Sequence, residues 1–171
     1  MTGTLSIILS FASYAFVILA MFRLFRINYF NPIVKIFATY LEPISKSIFF
    51  FLNPLLAALA LALLLQFVSS YFFYSSGYEI MTILFISVVD VINFCFRILY
   101  YCVIGSVILS WVAPENDHPL LQVVEEMSGA ILQPIRKFFP PMGGLDFTPI
   151  IGFMLLNLIN TFLIQIISSM L

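Results

Sequence analysis

Four runs of apolar residues, Leu5–Phe22, Pro54–Tyr74, Ile80–Trp111 and Pro149–Met170, leave this chain few folds to choose from. Crossing a hydrocarbon core of roughly 30 Å takes about 20 helical residues, and each run approaches or exceeds that length. Charged residues make up 9% of the chain against 63% hydrophobic ones, whereas a soluble domain carries about a quarter charged. So few charges cannot cover a water-facing surface. The expected fold class is an all-α membrane protein with about four transmembrane helices, residues 1–171 forming a single membrane domain. Leu5–Phe22 reads as a retained first span, because no basic residue precedes it and Arg23 and Arg26 follow it. The third run would make a helix of roughly 48 Å, so it must tilt, project past the membrane or break.

Orientation follows from the basic residues. Arg23, Arg26, Lys35 and Lys46 lie between the first two spans, and Arg136 and Lys137 between the last two. The N-terminal tail, the Ser75–Glu79 connection and the C-terminus contain no Lys or Arg. The positive-inside rule then places both basic connections in the cytoplasm and both termini outside.

The two basic connections resemble each other. Leu41-Glu42-Pro43-Ile44-Ser45-Lys46 answers Leu132-Gln133-Pro134-Ile135-Arg136-Lys137, and Asn31-Pro32 answers His118-Pro119. Each has helical apolar spacing: Ile33, Phe37, Tyr40, Ile44 and Ile48 in the first, Leu120, Val124, Met127, Ile131, Ile135 and Phe138 in the second. Such helices at a membrane either lie in the interface plane or pack on the spans as core. Pro32 and Pro119 suit a first helical turn, while Pro43 and Pro134 are expected to kink or end their helices. The unit is span, interfacial amphipathic helix, span, written twice as parallel repeats over 1–76 and 77–171, the first degenerate.

Ser110-Trp111-Val112, Gln133-Pro134-Ile135-Arg136-Lys137-Phe138-Phe139-Pro140 and Met142-Gly143-Gly144-Leu145-Asp146-Phe147-Thr148-Pro149 resemble the YggT family of bacterial membrane proteins, also called YlmG-like. The first half is similar through Arg23, Asn31-Pro32 and Glu42-Pro43-Ile44, and lacks the Pro-x-x-Gly-Gly-x-Asp loop. The resemblance implies the bacterial inner membrane and a role in osmotic or ion homeostasis or in assembling membrane complexes. It brings no agreed catalytic residue and no cofactor.

The residues themselves offer two candidate sites. Pro134, Arg136, Lys137, Gly143, Gly144 and Asp146 form a candidate interfacial site for lipid headgroups or a partner protein. Their structural alternative is a tight re-entry turn, with Thr148 as N-cap, Pro149 at the first helical position and Asp146 assisting. Asp90, Asn93 and Arg97 form a candidate intramembrane polar cluster on one arc of the third span. A mid-bilayer charge costs about 3 kcal/mol, so these three either sit near an interface or line a polar pathway, with Asn93 able to bridge the charges. Asn157, Thr161, Gln165 and Ser168 read as a helix–helix seam, within the bundle or between protomers.

Other constellations are weak. Cys95 and Cys102, seven apart on one helix, read as buried free thiols. Glu115-Asn116-Asp117-His118 is better explained as a helix start before Pro119 than as a metal site. Neither a phosphate-binding loop nor a catalytic set is visible, so no enzyme, metal or cofactor is expected. The first functional reading is a non-enzymatic membrane protein binding membrane lipids or other membrane proteins, as a homo-oligomer in one form, without nucleic-acid binding. The alternative is a small oligomeric channel or transporter using Asp90 and Arg97.

Overall fold

The computed structural model describes residues 2–112, 118–140 and 146–169 of the protein. The described residues form helices α1 (Thr2–Leu24), α2 (Pro32–Ile48), α3 (Pro54–Tyr74), α4 (Ile80–Val112), α5 (Pro119–Phe138) and α6 (Thr148–Ser168). Among them α1, α3, α4 and α6 are long and apolar enough to cross a membrane. The protein is an all-α, multi-pass membrane protein.

Local chemistry sets most of the helix starts. Asn31 caps α2 by accepting from the Ile33 amide at 3.0 Å, and His118 caps α5 by accepting at Nδ1 from the Leu120 amide at 3.2 Å. Asn53 does the same for α3, accepting from the Leu56 amide at 2.8 Å. In all three the next residue is proline, whose missing N–H costs nothing in a first turn. The α6 start differs from the expectation that Thr148 would cap it. Thr148 is already helical, and Asp146 supplies the acceptor, taking the Thr148 amide at 2.9 Å and its hydroxyl at 2.5 Å on Oδ1.

The end of α1 is a Schellman turn: the Ile27 amide reaches the Phe22 carbonyl at 3.0 Å and the Arg26 amide the Arg23 carbonyl at 3.3 Å. Arg26 occupies the left-handed position of this turn, with φ 54°. A side chain there costs on the order of 1 kcal/mol relative to glycine. Arg26→Gly is therefore expected to stabilise the fold by about 0.5–1 kcal/mol, read as a higher unfolding midpoint in detergent.

Of the two outcomes expected at Pro43 and Pro134, a kink or an end, the second does not occur. The α2 helix continues to Ile48 and α5 to Phe138, each closed by an amide–carbonyl bond of 2.9 Å, Phe49 to Ser45 and Phe139 to Ile135. A mid-helix proline removes one hydrogen bond and costs about 3 kcal/mol. Tertiary packing on both sides of each proline offsets that loss: Val34, Leu41 and Ser45 hold α2 to the bundle, and Met127, Leu132 and Ile135 hold α5. The buried face of α2 is also rotated from the anticipated stripe. Tyr40, Ile44 and Ile48 are exposed, whereas Val34, Ala38 and Leu41 turn inward.

The overlong third run is one unbroken helix of 33 residues, roughly 50 Å. This α4 is the spine of the molecule. It packs against α3 on one side and against α5 and α6 on the other, while α1 runs along α3 over almost its whole length. Ala57, Ala58 and Ala62 are fully buried and let α1 and α3 approach closely. Val17, Leu19 and Ala20 fill that seam, with Val91, Cys102 and Met127 extending the core toward α4 and α5. A second cluster, Val103, Leu132, Ile135 and Leu156, joins α4, α5 and α6. Cys95 and Cys102 are free thiols, and Cys102 Sγ lies 3.9 Å from Met127 Sδ.

Candidate functional site

The α4, α5 and α6 helices converge at the end of the bundle that carries the basic connections. Gly152 makes the convergence possible, since a Cβ there would stand 2.9 Å from Leu132 Cδ2 and 3.4 Å from Ile135 Cδ1. Gly105 has the same role between α4 and α5, where a Cβ would meet Val124 Cγ1 at 3.0 Å. Two adjoining spaces result. A polar pocket of about 540 Å³ is lined by Ser106 and Ser110 from α4, Glu125, Ser128 and Arg136 from α5, and Asp146. Beside it an apolar groove of about 470 Å³ runs between α4 and α6, lined by Ile104, Ile108, Phe147, Ile150, Phe153 and Met154. Both spaces share Val107, Asp146 and Pro149.

Asp146 belongs to the wall between the two spaces, and Arg136 meets it from the polar pocket. Arg136 donates from Nε at 3.1 Å and from Nη2 at 2.9 Å, both to Asp146 Oδ2. Asp146 Oδ1 is occupied by Thr148. Burial alone would push the Asp146 carboxyl up, but the Thr148 hydroxyl and amide and the Arg136 guanidinium outweigh it and hold it below the usual carboxylate range. It therefore stays ionised at neutral pH. Of the five N–H groups of Arg136, two are spent on Asp146 and three remain for a ligand. The pocket hydroxyls turn their protons inward: Ser106 donates to the Val103 carbonyl, Ser110 to Val107 and Ser128 to Glu125. Their outward lone pairs are left to accept.

The structure thus brings Arg136 and Asp146 together, while Lys137 and Pro134 are exposed beside them. Gly143 and Gly144 lie outside the described residues, as do Glu115, Asn116 and Asp117 of the weak metal candidate. No cluster with metal-ligand composition occurs among the described residues.

The intramembrane cluster does not meet as a unit. Asp90 accepts from Gln66 Nε2 of α3 at 3.2 Å, whereas Asn93 accepts from Asn160 Nδ2 of α6 at 3.3 Å. Arg97 is exposed, and Asn93 does not bridge the two charges. The polar stripe of α6 makes no seam inside the bundle, since Asn157, Thr161, Gln165 and Ser168 are all exposed. The α6 contact is made instead by its neighbouring face, where Gly152 and Leu156 are buried.

One polar centre is absent from the sequence reading. Glu42 takes Arg23 Nε at 2.7 Å, with Arg23 Nη2 in closer contact, and the Tyr29 hydroxyl at 2.9 Å, all on Oε1. Lys46 stands 3.7 Å from Oε2, and the Arg23 guanidinium lies 4.3 Å over the Tyr29 ring. Burial and then the bond to Glu42 raise the Tyr29 phenol above its usual range. Glu42 shares an apparent outer face with Lys35 and Thr39, and only the end of α1 arriving from across the turn pulls it inward. Glu42-Pro43-Ile44, answered in the second half by Gln133-Pro134-Ile135, was the available signal. Asn31 is the other: besides capping α2, its Nδ2 donates to the Pro119 carbonyl at 2.8 Å, joining the two halves.

Comparison with known proteins places this geometry. A family model described as CCB3/YggT matches residues 85–167, which run from α4 through α6 and contain both spaces. An uncharacterized protein of Pseudomonas aeruginosa is 34% identical over 157 residues, covering 86% of this chain and 80% of that relative. An uncharacterized protein of Haemophilus influenzae is 24% identical over 149 residues, 85% of this chain and 81% of its own. The YggT protein of Escherichia coli is 31% identical over 72 residues, 42% of this chain and 38% of its own. No solved structure matches the chain. With the family match lying on the helices that build the pocket, and a relative alike along most of both chains, the protein belongs to the CCB3/YggT family.

Proposed function

We propose that the protein is a non-enzymatic membrane factor that holds a phospholipid at the α4–α5–α6 junction, headgroup in the polar pocket and one acyl chain in the groove. The observation that carries this reading is the adjoining of the two spaces across Asp146 and Pro149. Lipid tails are already bathed in hydrocarbon, so the groove adds fit more than affinity and the headgroup contacts decide binding. The free N–H groups of Arg136 suit a phosphate. Glu125 sets a carboxylate beside it for an ammonium, so the pocket favours a zwitterionic headgroup such as phosphatidylethanolamine.

In this reading the basic connections face the cytoplasm of a bacterial inner membrane and both termini lie outside. The α2 and α5 helices rest along the cytoplasmic leaflet, their outer apolar residues Tyr40, Ile44, Ile48, Leu120 and Phe138 toward lipid. A lipid- or partner-binding element so placed serves osmotic or ion homeostasis or the assembly of membrane complexes. Native mass spectrometry of the purified protein tests the binding. Wild type is expected to retain one phospholipid, and Arg136→Glu with Lys137→Glu to lower its affinity at least tenfold, about 1.4 kcal/mol. Equal lipid retention by both proteins would end the proposal.

A further inference from the structure

At the opposite end of the bundle, α1, α3 and α4 enclose a cleft of about 190 Å³ lined by Ser6, Ser10, Tyr14, Gln66, Ser69 and Asp90, among others. Gln66 lies eight residues before the end of α3, so the cleft reaches roughly 12 Å down that helix. At that depth an unpaired polar group is costly.

The protons of this cleft can be counted. Ser69 donates its one hydroxyl proton to the Ser6 carbonyl at 2.8 Å. The contacts of Ser69 Oγ with Ser6 Oγ at 3.1 Å and Ser10 Oγ at 2.8 Å must then be donated by Ser6 and Ser10. The Gln66 amide gives its Nε2 to Asp90, and its Oε1 is buried with no partner, the residue being 3% exposed. Asp90 has no ion-pair partner among the described residues. What faces the cleft is thus the Asp90 carboxylate, an orphaned carbonyl oxygen and the spare lone pairs of two serines, with the hydroxyls of Tyr14, Ser70 and Tyr74 also in its lining. The lining is rich in oxygen atoms, and Asp90 is its one carboxyl, held in no ion pair among the described residues.

We propose that this cleft binds a monovalent alkali cation, with Asp90 supplying the charge and Gln66 Oε1, Ser6 and Ser10 supplying neutral oxygens. Hard cations take oxygen ligands, and a divalent ion of the calcium type normally draws several carboxylates. Here there is one, with the positive charge of Arg97 two turns further along α4. A monovalent ion neutralises Asp90 without adding excess charge. The cleft shares no residue with the phospholipid pocket, so the two proposals stand or fall separately.

The test is thermal unfolding of the full-length protein in lipid nanodiscs, with choline chloride replaced by NaCl or KCl at constant ionic strength. At least one alkali cation is expected to raise the midpoint of wild type in a saturable way. Asp90→Asn and Gln66→Met, both close in shape to the native side chains, are expected to weaken that response at least tenfold in apparent affinity. Ser10→Ala serves as a milder third variant should either fail to fold. Lys35→Gln, at an exposed position of α2 outside both sites, is expected to respond as wild type does. Identical wild-type midpoints in all three salts, a response to MgCl₂ or CaCl₂ alone, or an alkali response surviving in Asp90→Asn and Gln66→Met would each overturn the proposal.

Discussion

Glu42→Ala is expected to lower the stability of the protein in detergent by about 3 kcal/mol. Its carboxylate is the acceptor on which the end of α1, the following turn and α2 are hung, through Arg23, Tyr29 and Lys46. Removing one member of a buried charged pair leaves the other uncompensated, which costs about 3–5 kcal/mol in a fully buried setting. Here the Glu42 side chain is 13% exposed and that of Arg23 31%, so the lower end applies. Tyr29→Phe, which removes one neutral donor, should cost about 1 kcal/mol. Lys46→Ala should cost less than about 0.5 kcal/mol, because that side chain is half exposed and its contact is long. SDS-titrated unfolding of the purified variants gives the ranking. A Glu42→Ala loss no larger than that of Lys46→Ala would show that the turn is held by apolar contacts alone.

Gly152→Leu should destabilise by about 2–3 kcal/mol and open the α5–α6 junction. The first side-chain atom would already press on the tip of Leu132, which is 2% exposed, and the rest of a leucine would need more room than Leu132 and Ile135 can give by rotating. Gly152→Ala is a different matter. The atom it meets is the tip of a leucine, so a small rotation absorbs it at a cost under about 1 kcal/mol. Pairing Gly152→Leu with Leu132→Ala returns the missing volume and should recover most of the loss. The phospholipid readout adds a second measure, because Gly152 sets the spacing of the helices that carry Arg136 and Pro149. A Gly152→Leu variant as stable as wild type would mean that α6 is not fixed against α5 in the membrane.

The contrast between these two sites shows where the sequence is readable. Gly152 sits inside an apolar run and carries no pattern of its own, since its meaning lies in Leu132, twenty residues away on another helix. Glu42 does belong to a recurring motif, yet its spacing assigns it to a polar face. Arg136 and Asp146 were accessible because they stand only ten residues apart, one in the last turn of α5 and the other just before α6, so a cation and an anion had little chain between them.

The sequence by itself determined the four spans and three of the helix starts. A bilayer dictates the length of any apolar helix crossing it, and Asn31, Asn53 and His118 act on amides two or three residues away, so both effects are local. Only the tertiary structure decided that Asp90 turns to Gln66 while Asn93 turns to Asn160, and that α2 and α5 run on through Pro43 and Pro134. Helical periodicity fixes how side chains are arranged about their own axis and says nothing of what stands on each side. The rotation of each helix against its neighbours is set by packing, and packing chooses which polar groups meet.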